Sequence, residues 1–173
     1  VHLCAFNNDA AYVVDQVQSN KVYNLSATVG MAEPLHSSSV GKCILAFRPP
    51  FAAVRLLKDY PLTAYTPKTI TDKDILMEQL AIIRSQGYAV DDEEIALGVR
   101  CIAAPIYNYR GEVNYSLGVS GTTNNIKPSA MDRYLTALLS ASSQISSALG
   151  YKCGRQSPEV QPPGPYGDSG RDE

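Results

Sequence analysis

The sequence predicts an α+β domain, an antiparallel sheet of about five or six strands with helices collected on one side. Three observations carry that reading. Short runs rich in β-branched and aromatic residues, divided by Asn, Asp, Ser and Gly, open the chain and recur between Tyr88 and Ser120. A central stretch, Asp72 to Gly87, has helical spacing with both a start and a stop signal. A longer amphipathic stretch, from about Ser129 to Leu149, follows the last strand. The 173 residues fit one domain plus a tail. A body of roughly 150 residues buries about 68–70% of its unfolded surface and needs no covalent staples.

In order, the first three strands span His2 to Phe6, Tyr12 to Val17 and Val22 to Ala27. Asn7-Asn8-Asp9 and Ser19-Asn20-Lys21 divide them, and such residues favour turns through local side-chain hydrogen bonds. From Val40 to Phe47 the pattern becomes helical, with Ser37, Ser38 or Ser39 available as N-cap. Pro49-Pro50 stops that helix, because proline offers no amide to continue it, and Phe51 to Lys58 reads as another. Tyr60 to Lys68 is a loop. Thr71 or Asp72 then caps a helix in which Ile75, Leu76, Gln79, Leu80 and Ile83 share one face, and Gly87 ends it. Tyr88 to Asp92, Arg100 to Asn108 and Val113 to Ser120 are strands. In the last helix Met131, Tyr134, Leu135, Leu138, Ser142, Ile145 and Leu149 mark the inward face. Gly154 to Glu173 is rich in Pro, Gly, Ser and charge, too polar to offset its ordering entropy. The expected organisation is a domain over 1–152 and a disordered or loosely ordered tail over 153–173.

Composition excludes several functions. The net charge is −2, from 15 basic and 17 acidic residues, and no basic stripe matches a phosphate backbone. Direct DNA contact by this chain is not expected. No apolar run approaches the ~20 residues of a membrane span and no signal peptide opens the chain, so a cytoplasmic setting is expected. Starting at Val1 without methionine, the chain reads as an excised fragment. Cys4, Cys43, Cys101 and Cys153 lie far apart with no C-x-x-C pair, which points to reduced thiols.

The hairpin around Tyr109-Arg110-Gly111 gives the clearest local inference. With a two-residue turn at Arg110-Gly111, Tyr109 faces Glu112, Cys101 sits opposite Ser120, Ala103 opposite Gly118 and Pro105 opposite Ser116. A four-residue turn shifts the register but keeps the same residues on the same face, whereas a bulge would break that parity. Ile102, Ala104 and Ile106 then share a core face with Leu117, Val119 and Tyr115. The reverse face carries only Cys, Ala, Gly and Ser, which marks either a tightly packed helix or a ligand cavity. The turn His36 to Ser39 meets a helix at Val40, where free amides and the positive dipole end either bind an anion or are simply capped. A nucleotide loop is rejected at Gly41-Lys42, since His36 replaces the first glycine and Cys43 the Ser or Thr. In the run Asp91 to Glu94, extended geometry sends Asp91 and Asp92 to opposite faces, so one reaches inward. Cys101, His36 and Asp91 admit three readings: nucleophile, base and orienting acid of a hydrolase; a metal site; or an inert buried thiol.

The segment Pro34-Leu35-His36-Ser37-Ser38-Ser39-Val40-Gly41-Lys42-Cys43-Ile44-Leu45-Ala46 resembles the pattern P-L-H-x-S-x-x-G-K-x-x-L-A of IclR-type transcription regulators. Tyr65 to Thr71 is similar to the same family's Y-T-x-x-T-I-T loop, and Gly87 to Pro105 to its G-Y-x-x-D-D-E-E-x-x-x-G-V-R-C-I-A-A-P element. Ser120-Gly121 closes its V-S-G motif, and the likeness runs from Val1 to about Gly150. The resemblance implies a GAF-like fold serving as a non-enzymatic, effector-binding domain. It implies a winged helix-turn-helix domain N-terminal to this one, through which alone DNA would be bound. It also implies dimers or tetramers and a small carboxylic or aromatic acid as effector; no cofactor is expected, and a metal-binding sensor stays the alternative to be weighed. Carried over by motif, the ligand-binding residues are Ser39, Val40, Asp91, Cys101, Gly118 and Ser120, with Val22 and Leu25 as apolar wall. Gly118 departs from the serine of many relatives. That removes a hydrogen-bond partner, adds space, and favours a bulkier or aromatic acid over a glyoxylate or pyruvate type.

Overall fold

A computed structural model describes residues 1–18 and 28–152. The expected strand Val22 to Ala27, the wall residues Val22 and Leu25, Cys153 and the tail lie outside the described residues.

Six strands form one sheet, β1 (His2–Asn7), β2 (Ala10–Gln16), β3 (Ala32–Glu33), β4 (Ala89–Asp92), β5 (Val99–Tyr107) and β6 (Val113–Thr122). Their order is β3-β2-β1-β6-β5-β4, and every neighbouring pair is antiparallel. The helices are α1 (Ser39–Ala46), α2 (Pro50–Leu57), α3 (Lys73–Gln86) and α4 (Met131–Ala148), the last preceded by a 3-10 turn at Pro128–Ala130. The α+β class and the antiparallel sheet of about six strands with flanking helices are thus as the sequence predicts. Local chemistry sets the helix ends. Asp72 accepts from the amides of Asp74 and Ile75 at the start of α3, and Gly87 ends it at φ 85°.

The expectation that the helices share one side is corrected. Side chains alternate along β5, so Ala103 faces α1 and α3 whereas Ile102 and Ala104 pack with Leu138 of α4. α1 is wedged so deeply that all eight of its residues are buried. A helix enclosed on every side must satisfy its polar groups internally.

α4 departs from its expected inward face. Leu138, Ser142 and Ser146 are buried, while Ile145 and Leu149 are exposed. The end of α4 meets an irregularity in β5 between Ile106 and Tyr107, where polar partners are needed. Ser142 Oγ donates to the Pro105 carbonyl, and Ser146 Oγ accepts from the Tyr107 amide at 3.0 Å.

The same irregularity explains the hairpin register. The turn has three residues, with Asn108 N–H donating to the Glu112 carbonyl at 3.0 Å and Gly111 at φ 78°. That replaces the expected Tyr109–Glu112 pairing. The bulge next to it shifts the register back, so Cys101 does oppose Ser120, Ala103 Gly118, and Pro105 Ser116. Two local departures cancel before the strands reach the site.

Candidate functional site

The sheet bends far enough for residues of both edge strands, β3 and β4, to line one cavity of about 270 Å³. It lies over the N-terminus of α1. Of the residues singled out by sequence, Ser39, Val40, Asp91, Cys101 and Ser120 line it, joined by His2, Met31, Glu33, Ile95, Ala96 and Val99.

Gly118 does not line it. A Cβ built on Gly118 would lie 2.5 Å from His2 Nε2 and 2.8 Å from Val40 Cγ1. The space expected there is filled by the imidazole of His2, which pairs with Gly118 across β1 and β6. The glycine seats a ring; it does not widen the cavity for a bulkier ligand.

The anion-receptive end is built by the turn before α1. Ser38 caps the helix, accepting from Gly41 N–H at 2.9 Å while donating to the Pro34 carbonyl at 2.7 Å. The amides of Ser39 and Val40 occupy the first turn, where no intrahelical acceptor exists. Ser39 Oγ, 1% exposed, has no hydrogen-bond partner among the described residues. Capping by Ser38 therefore coexists here with a buried Ser39 hydroxyl that no described residue pairs.

Opposite stands the acidic turn. Asp91 is fully buried, and its Oδ1 accepts from Glu94 N–H at 2.7 Å. Its Oδ2 has no hydrogen-bond partner among the described residues. Burial pushes this carboxyl above the usual aspartate range, and the Glu94 amide and Lys42 hold it back in part. Asp92 points the other way and pairs with Arg100 at 2.6 Å. The Tyr65 to Thr71 motif serves as a tie, since Thr66 Oγ1 donates to Glu93 O at 2.7 Å and Thr69 Oγ1 to Glu94 O at 2.6 Å. Lys42, 1% exposed, pairs with Glu94 and so joins α1 to that turn.

His36 is elsewhere. Its Nε2 bonds to the Thr63 carbonyl at 2.9 Å, its ring contacts Tyr60 and Tyr65, and it does not line the cavity. Burial, then the charge of Asp91, pushes the Cys101 thiol up to about 12, far from a thiolate. The Cys101–His36–Asp91 arrangement of a hydrolase therefore does not assemble. Among the described residues no group of three or more His, Cys, Asp or Glu side chains is placed to hold a metal ion.

His2 is the residue sequence reasoning missed with a readable signal, since it alternates inward with Cys4 along β1. Burial lowers its pKa to about 4, so it stands neutral at pH 7. A depressed histidine contributes stability that is full above its unfolded pKa of about 6.5 and is lost as pH falls through about 4. In urea titrations at pH 7 and 4.5, His2→Gln should lose less stability on acidification than wild type, by on the order of 2 kcal/mol. An equal loss in both proteins would refute the buried neutral imidazole.

The profile of the family described as "Bacterial transcriptional regulator IclR C-terminal" matches residues 1–147. The HTH-type transcriptional regulator BhcR of Paracoccus denitrificans is 34% identical over 148 residues, covering 86% of this chain and 53% of BhcR. The chain thus spans about half the length of that curated relative. The C-terminal domain of Escherichia coli KdgR superposes with a TM-score of 0.78 at 31% identity, covering 87% of both chains. The inducer-binding domain of Acinetobacter PobR, a double mutant in complex with 3-hydroxybenzoic acid, gives 0.75 at 27% identity, over 84% and 86%. Among the described residues no helix is long and apolar enough to cross a membrane. With its motifs, its sheet order and this match over most of its length, the chain belongs to the IclR family of bacterial transcription regulators, as their C-terminal domain.

Proposed function

We propose that residues 1–152 sense a small carboxylic or aromatic acid and pass its presence to a separate N-terminal winged helix-turn-helix domain that binds DNA. Ligand would bias two arrangements of a homodimer or homotetramer through its differential affinity, and so alter operator binding. One observation carries the reading. Two buried polar atoms without hydrogen-bond partners among the described residues, Ser39 Oγ and Asp91 Oδ2, belong to residues that line one cavity. Buried polar groups are normally satisfied, and a bound effector would satisfy both. Its carboxylate would take the Ser39 and Val40 amides at the positive end of α1. Asp91, Ser120 and Cys101 would read its remaining groups, with Ile95 and Val99 supplying apolar wall beside that expected from Val22 and Leu25. The 3-hydroxybenzoic acid complex of PobR supports an organic acid as the ligand class.

A thermal-shift screen of carboxylic acids, 3-hydroxybenzoate included, tests this. A true effector at 100 times its Kd adds about 2.7 kcal/mol, or about 5–10 °C in Tm. Asp91→Asn and Ser39→Ala should each weaken it about tenfold. An acid that stabilises all three proteins equally binds elsewhere.

A further inference from the structure

The cavity holds a second carboxylate whose presence the family motifs do not explain. Glu33 ends β3, directly before the Pro34 turn, and lines the same cavity as Asp91 on β4. The two residues come from opposite edges of the sheet. Among the described residues no Lys or Arg lines the cavity, and its only histidine is neutral at pH 7. Lys42, buried behind the cavity, pairs with Glu94 and restrains Asp91 only in part, since Asp91 still stands above its usual range. The positive end of α1, equivalent to roughly half a charge, cannot balance two carboxylates.

Such a lining is poorly matched to a simple carboxylate or dicarboxylate. One anionic group has a place at the Ser39 and Val40 amides. Beyond it, any ligand atom approaching Glu33 and Asp91 meets like charge, unless it brings positive charge or donor hydrogens of its own. Asp91, which lines the cavity, is fully buried, and its Oδ2 has no hydrogen-bond partner among the described residues. We propose that the effector is a compact zwitterion, its carboxylate on the first turn of α1 and a cationic nitrogen seated between Glu33 and Asp91. This deepens the sensor reading and rests on it.

Electrostatics on both groups agree with that assignment. Burial, then the charge of Asp91, pushes Glu33 up against the pull of Ser38, and burial pushes Asp91 up against the Glu94 and Ile95 amides, Lys42 and Cys101. Each carboxylate is held where its own charge is disfavoured, and a cation between them relieves both. A zwitterion also cancels most of its own charge, which suits a small, largely apolar, half-open cavity.

Calorimetric titration at pH 7.5 with matched series tests the proposal. One series is α-, β- and γ-amino acids of up to five carbons with their hydroxy and unsubstituted counterparts. The other is 4-(aminomethyl)benzoate, 4-(hydroxymethyl)benzoate and 4-methylbenzoate. The ammonium member of at least one set should bind tenfold or more tighter than its two counterparts. Glu33→Gln should weaken that member tenfold or more while leaving the plain acid unchanged or strengthening it. This reversal of preference is one that a merely structural Glu33 would not produce. If plain or hydroxy acids bind better than every ammonium member, the zwitterion proposal falls and the sensor reading stands. If no member binds while other acids stabilise the protein through Asp91 and Ser39, the proposal falls likewise. If no acid of any kind binds, the sensor reading falls with it.

Discussion

Lys42→Met should cost the domain about 3–5 kcal/mol, seen as a Tm lower by about 6–20 °C. Lys42 is 1% exposed and reaches Glu94, whose side chain is 10% exposed and whose Oε2 has no partner among the described residues. Burial, and after it the charge of Asp91, raises the Glu94 carboxyl, and Lys42 is the chief influence holding it down. The same ammonium restrains Asp91. Methionine keeps the length of the stem and removes the charge, so two buried carboxylates lose their shared counter-ion. Breaking a buried pair from one side is expensive because the survivor stays desolvated and uncompensated.

The pH dependence of that loss follows from its cause. Without Lys42 the folded pKa values of Glu94 and Asp91 rise further above their unfolded values. A carboxyl with a raised folded pKa contributes stability below its unfolded pKa and loses it as pH rises through the folded one. The deficit of Lys42→Met against wild type should therefore be larger at pH 8 than at pH 5 in urea titrations. Lys42→Met/Glu94→Gln should recover part of it, since the amide carries no charge to strand. A deficit below about 1 kcal/mol, or one independent of pH, would mean that the pair is solvated in a way its burial does not indicate.

The pair also shows why part of the site was legible in sequence and part was not. Motif spacing brings Ser39 and Val40 to a helix start, and alternation sends Asp91 inward and Asp92 out to Arg100, as local rules require. The register across β5 and β6 was legible because alternation ties Cys101 and Ser120 to one face, although the turn that sets it was misread. Alternation with Cys4 marks His2 as inward-facing, but neither His2 nor Glu33 could be placed at the cavity from sequence. They reach the cavity only through the pairing of β1 with β6 and the bend that brings β3 towards β4, both set by long-range contacts. The reading of Gly118 as open space failed for a related reason. The absence of a side chain says that something approaches closely, and only the fold says that it is His2. In α4, periodicity chose Ile145, but the polar demand of the β5 irregularity placed Ser146 inside instead.

Gly41→Ala should be the most damaging single-methyl change near the site. Within an ordinary helix this substitution gains up to about 1 kcal/mol of helical propensity. Here the added Cβ would run into the Pro34 carbonyl and lie 2.7 Å from both Leu35 Cα and Ser38 Oγ. The first two are backbone, and Ser38 is held by its bonds to Pro34 and to Gly41 itself. None can rotate aside, so the turn and α1 must separate, at a cost of about 1–3 kcal/mol. The separation moves the amides of Ser39 and Val40 relative to Asp91, so affinity for any stabilising acid should fall tenfold or more. Gly87→Ala provides the control. Nothing lies within 4 Å of its Cβ, yet at φ 85° it carries about 1–2 kcal/mol of backbone strain, and it sits at the far end of α3. Both variants should melt earlier, and only Gly41→Ala should also lose ligand. Equal ligand affinity in the two would show that the start of α1 does not hold the acid, whatever the cavity beside it binds.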